Sequence, residues 1–160
     1  MQRPLPKRSI GIDYGIARIG LSYSDEGLMI AFPLQVVKVD KKSTKTAGGV
    51  VEAIRKHQEG LRYEIHEIII GMPLMMSGKS GMMADEVKHF IVLLTEALPG
   101  VVIKSWDERL SSVMADRSMR ETSMTRKKRA QHVDTVAATI ILQNYLDHNF
   151  LKNRDNFIVD

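Results

Sequence analysis

Ile10-Gly11-Ile12-Asp13-Tyr14-Gly15 is an apolar run that ends in an acid, with a glycine two residues later to turn the chain away. A strand over Arg8 to Asp13 leaves its carboxylate at an open strand end, although an Asp-x-Gly turn alone also explains the acid. Working outward, Ile19 to Ser24 and Met29 to Val39 are two further extended runs, the last rich in β-branched residues. Their tight spacing predicts an antiparallel meander. From Thr46 to Gln58 the apolar positions Val50, Val51, Ala53 and Ile54 return at helical spacing, with Gly60 near the expected stop. Ile65 to Ile70 reads as a buried strand, Met82 to Leu98 as an amphipathic helix closed by Pro99-Gly100, and Val101 to Trp106 as another strand. Two helices, Leu110 to Arg120 and Arg126 to Tyr145, complete the order β-β-β-α-β-α-β-α-α. The expected class is α/β, a five-stranded mixed sheet flanked by helices. Residues 1–7 read as a flexible N-terminus, 8–148 as a single domain and 149–160 as a C-terminal tail.

Composition narrows the function. With 160 residues, 44% of them hydrophobic and 26% charged, the chain is large enough for one well-buried core. The absence of cysteine excludes a disulfide framework, a thiolate zinc site and thiol catalysis. No apolar run reaches membrane-spanning length and the first residues carry no apolar signal core, so a cytoplasmic protein without membrane association is expected. The formal charge of +4 and a pI near 9.4 favour an anionic partner.

Ser105-Trp106-Asp107-Glu108-Arg109 and Val133-Asp134-Thr135-Val136-Ala137-Ala138 also set carboxylates beside hydrophobic elements. Unpaired buried carboxylates are costly, so a cation bound among them is the economical explanation. Oxygen donors point to magnesium or manganese. Asp107 and Glu108 compete for one place. Asp is a favoured helix N-cap and Glu is not, so Asp107 has a structural explanation that Glu108 lacks. Asp134 shares a helical face with Ala138, Ile141 and Tyr145, and small Ala137 and Ala138 let that helix approach a sheet closely. It reads equally as the cap of a second helix segment after a break at Ala130-Gln131.

Four ordered phrases resemble one known family. They are Asp13-Tyr14-Gly15-x-x-Arg18-Ile19-Gly20, then Gly71-Met72-Pro73-Leu74 with Gly78 and Gly81, then Trp106-Asp107-Glu108-Arg109-Leu110-Ser111-Ser112, and finally Arg126-Lys127-Lys128 leading to Asp134-x-x-Ala137-Ala138-x-x-Ile141-Leu142. Over about residues 8–148 the chain is similar to the YqgF family, also called RuvX. The resemblance implies an RNase H-like fold and a nuclease, either maturing the 5′ end of the 16S ribosomal RNA precursor or resolving Holliday junctions. It also implies Asp13, Glu108 and Asp134 as catalytic residues and ligands of Mg2+ or Mn2+, with Asp13 between the other two. Met75-Met76-Ser77 stands where the family often carries polar residues.

Arg126, Lys127, Lys128 and Arg129 stand one or two helical turns before Asp134 and suit the phosphates of a polyanion, or form a solvated helix face. Arg18 and Arg109 each stand near an expected ligand, to contact phosphate or to preset a carboxylate. The expected partner is structured RNA, the 16S precursor before branched DNA, for a monomer or weak homodimer. A non-catalytic ribosome-assembly factor is the rival reading. Pro73-Leu74-Met75-Met76-Ser77-Gly78-Lys79-Ser80 mimics a P-loop, but Pro73 replaces its first glycine and lacks the needed N–H.

Overall fold

The computed structural model describes residues 3–72, 81–107 and 126–157. β1 (Lys7–Tyr14), β2 (Arg18–Ser24) and β3 (Ala31–Lys38) form the expected meander, followed by α1 (Ser43–Leu61), β4 (Glu64–Met72), α2 (Gly81–Ala97), β5 (Val102–Asp107) and α3 (Arg126–Phe157). The sheet order is β3-β2-β1-β4-β5. The β1–β2 and β2–β3 pairs are antiparallel, and the β1–β4 and β4–β5 pairs are parallel. The helix expected over Leu110 to Arg120 lies outside the described residues, as does the P-loop-like stretch. Among the described residues no helix is long and apolar enough to cross a membrane.

The two faces of the sheet are unlike. Ile10, Ile12 and Tyr14 of β1, Ile19 and Leu21 of β2, and Ile68 and Ile70 of β4 pack against Val50 and Ile54 of α1 and Val87, Phe90 and Leu94 of α2. The alternate residues of β1 and β2 are small: Gly11 opposes Ser22, and Asp13 opposes Gly20. α3 covers this second face, where Ile141, Leu142, Tyr145 and Leu146 pack with Ile69.

Polar contacts fasten α3 across the sheet. At the β3 side, Gln143 Oε1 accepts from the Ala31 N–H at 2.9 Å and Nε2 donates to the Met29 carbonyl at 2.8 Å. At the β5 side, Lys104 Nζ donates to the Tyr145 hydroxyl at 3.0 Å and pairs with buried Glu67 at 3.0 Å. These two bonds raise the Lys104 pKa, the one to Tyr145 most.

Two boundaries differ from expectation. α3 is continuous through Phe157, so residues 149–157 extend a helix rather than form a loose tail, and no break occurs at Ala130-Gln131. A helix already nucleated by docking propagates cheaply, and no glycine or proline interrupts residues 126–157. α1 runs past Gly60 and ends at Arg62, whose φ is 56° and whose N–H donates to the Gln58 carbonyl at 2.8 Å. This left-handed non-glycine costs roughly 1–2 kcal/mol. It turns the chain so that Tyr63 is buried, and burial pushes the Tyr63 phenol up to about 12.

The Tyr63 hydroxyl lies within hydrogen-bond distance, 2.8 Å, of His57 Nδ1. Burial, then the Arg8 charge, holds His57 below its ordinary value of 6.5. The unfolded chain therefore takes a proton more readily than the folded one. The resulting stability is complete above pH 6.5 and is lost as pH falls through the lower folded value. Melting temperature followed from about pH 7 to about pH 5 should fall more for the parent than for His57→Gln. Parallel curves would show that His57 does not sense pH.

Candidate active site

Asp13 closes β1 with 8% of its surface exposed. Its register partners are Gly20 on β2 and Gly71 on β4, so no side chain crowds it from either neighbouring position. The row continues to Trp106, the partner of Gly71, and β5 ends one residue later at Asp107, opposite Met72. The strand ends of β1, β4 and β5 thus lie side by side, because these three strands are parallel.

Gly20 admits the second carboxylate. A Cβ built on Gly20 would overlap the carbonyl oxygen of Asp134 and crowd the Thr135 nitrogen, so the backbone of α3 rests directly on the strand. Gly11 does the same further along: its Cβ would overlap Ser22 Oγ and stand 2.8 Å from Leu142 Cβ. Ser22 Oγ donates to the Ala138 carbonyl at 2.8 Å, a hydrogen bond that registers the helix on the sheet. Antiparallel partners are about 4.5–5.5 Å apart at Cα, so this contact carries Asp134 to within about one strand spacing of Asp13. Ala137 and Ala138 are buried as expected, yet the room they make depends on the two glycines beneath.

Arg18 opens β2, two residues before Gly20, and its Nε donates to Asp134 Oδ2 at 2.6 Å. This is the carboxylate pairing expected of it. The side chains are 36% and 19% exposed, so the bond is partly wet and sets geometry more than stability. Asp13, Arg18 and Asp134 are therefore brought together. Glu108 and Arg109 lie outside the described residues. Positions 126–129 form the first turn of α3, in which no acidic residue stands. Among the described residues no cluster of three or more His, Asp or Glu side chains is assembled.

On the opposite face, Tyr14 packs on Phe90 with ring centroids 5.0 Å apart. Burial, then the Glu86 charge, raises its phenol. A cleft of about 480 Å³ opens beside it, lined by Tyr14, Ile16, Lys41, Thr46, Asp85 and His89 among others. The residues missed in sequence are Gly11, Gly20 and Ser22. Their signal was present in the alternation of small with large residues along β1 and β2.

A protein-family model described as "RuvX: Holliday junction resolvase" matches residues 7–148. The chain belongs to the RuvX family. A curated relative from Protochlamydia amoebophila (strain UWE25), named "Putative pre-16S rRNA nuclease", is 53% identical over 145 residues, or 91% of this chain and 96% of that protein. A relative of the same name from Halothermothrix orenii is 39% identical over 143 residues, 88% and 95% of the two chains. Among solved structures, T. thermophilus RuvC in complex with a Holliday junction substrate aligns with a TM-score of 0.52 and 15% identity, covering 89% of this chain and 96% of that one. That likeness is one of fold, and the sheet with its helices is RNase H-like. As a RuvX member, the chain is a hydrolase acting on nucleic acid.

The seating of α3 predicts a sharp contrast between two glycines. Gly20→Ala should cost about 1–3 kcal/mol in urea unfolding and depress cleavage by displacing Asp134. Gly48→Ala, on an exposed helical position with nothing within 4 Å, should instead stabilise by about 0.5–1 kcal/mol. Similar stabilities for the two variants would show that α3 is free to lift from the strand.

Proposed function

We propose that this protein cuts a phosphodiester bond in structured RNA to mature the 5′ end of the 16S ribosomal RNA precursor. The observation that carries the reading is the approach of Asp13 and Asp134, far apart in sequence, at the edge where the parallel strands β1, β4 and β5 end. One is buried and the other is held by a guanidinium on one oxygen, a hard oxygen donor set that fits magnesium or manganese. Asp13, Glu108 and Asp134 would hold it. Glu108 enters the set through the family resemblance of Trp106-Asp107-Glu108-Arg109. When bound, such an ion lowers the pKa of an attacking water and offsets charge on the leaving oxygen.

The protein's own groups orient and bind. Arg18 fixes the Asp134 carboxylate through Oδ2. Arg126, Lys127, Lys128 and Arg129 put four cations on the positive end of a helix, each unfavourable by about 0.3–1 kcal/mol without an anion there. A phosphate backbone removes that penalty. Cleavage of branched DNA is the second reading, favoured by the description of the matching family.

Precursor RNA and four-way junction DNA should be offered side by side with magnesium or manganese. Asp13→Asn is expected to lose cleavage by orders of magnitude while still binding, and Glu108→Gln likewise. Asp107→Asn should be milder, since Asn still caps a helix. Parent-like cleavage by Asp13→Asn would remove it from the site. In depleted cells, 16S RNA extended at its 5′ end should accumulate and be reversed by the parental copy only. Rescue by Asp13→Asn would instead establish the assembly-factor reading, and normal 5′ ends with unresolved junctions the DNA one.

Replacing Arg126, Lys127, Lys128 and Arg129 with glutamine should flatten the slope of log affinity against log salt by about 0.7–0.9 for each phosphate that is no longer neutralised. A slope unchanged in this variant returns those residues to a solvated helix face.

A further inference from the structure

We infer that Lys38, Lys41, Lys42 and Lys45 form a second phosphate-binding track, which holds the backbone of the nucleic acid several nucleotides away from the cut. The inference rests on the nuclease reading and adds to it a surface where edge strand β3 leads into α1.

Three observations carry it. The first is position. β3 is parallel to β1, two strands away, so Lys38 ends its strand at the same edge of the sheet as Asp13. Asp13 pairs with Gly20, and Gly20 with Val36. Two strand spacings and two further residues put Lys38 about 12 Å from Asp13. At about 3.4 Å of axis per nucleotide in one strand, that spans three or four nucleotides. Lys41, Lys42 and Lys45 follow in the turn and first helical turn of α1, continuing the track outward.

The second observation is charge. All four lysines are exposed, and among the described residues none of their amines is in an ion pair. Asp40 is the only acid between them, and its carboxylate accepts the Lys42 N–H at 2.9 Å. Across the neighbouring cleft, Asp85 and Glu86 of α2 form the other wall. They repel phosphate, which confines a backbone to the lysine side and keeps it out of the cleft.

The third is rigidity. The Asp40 N–H donates to Thr46 Oγ1 at 2.8 Å, and Thr46 is buried. The Val39 N–H donates to the Ala17 carbonyl at 3.0 Å, in the turn that joins Asp13's strand to Arg18's. The lysine-bearing turn is thus tied to the site itself, so its cations sit at a set distance from the carboxylates. Flexible lysines on an untethered loop would not.

The test uses equilibrium binding in the Asp13→Asn background, so that no cutting intervenes. The probes are two stem-loop RNAs, one with a stem of half a helical turn around the cut and one with two turns. The combined Lys38→Gln, Lys41→Gln, Lys42→Gln and Lys45→Gln variant should flatten the salt slope on the long stem by about 0.7–0.9 for each phosphate released and leave the short stem unchanged. The matching set of Lys→Arg changes should keep the parental slope, which separates charge from folding. An unchanged slope on the long stem overturns the track, and equal losses on both stems overturn its placement away from the cut. If the protein with lysines intact binds neither stem, the RNA-nuclease reading fails and the track with it.

Discussion

Backbone-to-backbone contact between α3 and the glycine of β2 is the constraint on which the site depends. Gly20 lies under the carbonyl of Asp134 with no room for a methyl group, and Gly11 lies under Leu142 in the same way. A sheet face of ordinary residues would hold a helix at side-chain distance, and Asp134 would then stand too far from Asp13 to share a ligand. The small residues do not stabilise by burial themselves. They allow Ile141, Leu142, Tyr145 and Leu146 to pack against Ile69, and that apolar contact keeps the helix down.

The same architecture sorts charge. Parallel pairing of β1 with β4 and of β4 with β5 collects three strand ends at one edge, where the N-terminal ends of the connecting helices also lie. Asp13 and Asp134 lie at the centre with Arg18 on Asp134, the lysines that lead from β3 into α1 lie on one side, and Asp85 and Glu86 stand across the cleft from them. Acid groups at the middle of such an edge repel a phosphate backbone unless a cation lies between, which is the electrostatic reason for expecting one.

Away from this edge the polar groups serve attachment. Lys104 ties Glu67 to Tyr145, and Gln143 holds the start of β3, so α3 is anchored on both flanks of the sheet. The far end of the helix is polar and without a clear apolar stripe, so its sequence pattern did not disclose that it remains helical to Phe157.

Local periodicity determined much of this protein. Alternating and helical spacing placed β1 to β5 and the first two helices to within about three residues, and put Asp13 at a strand end before any contact was known. These signals are legible because side-chain periods of two and 3.6 are properties of a few consecutive residues. The parity of Gly11, Gly20 and Ser22 was written in the same code, but small residues give no hydrophobic signal, so their face was overlooked. Only the tertiary structure decided that Arg18 pairs with Asp134, that Asp134 sits within an unbroken helix, and that β3 brings Lys38 to the edge that holds Asp13. Those outcomes depend on residues 116 apart meeting across a sheet, and no local spacing encodes which partners a folded chain brings together.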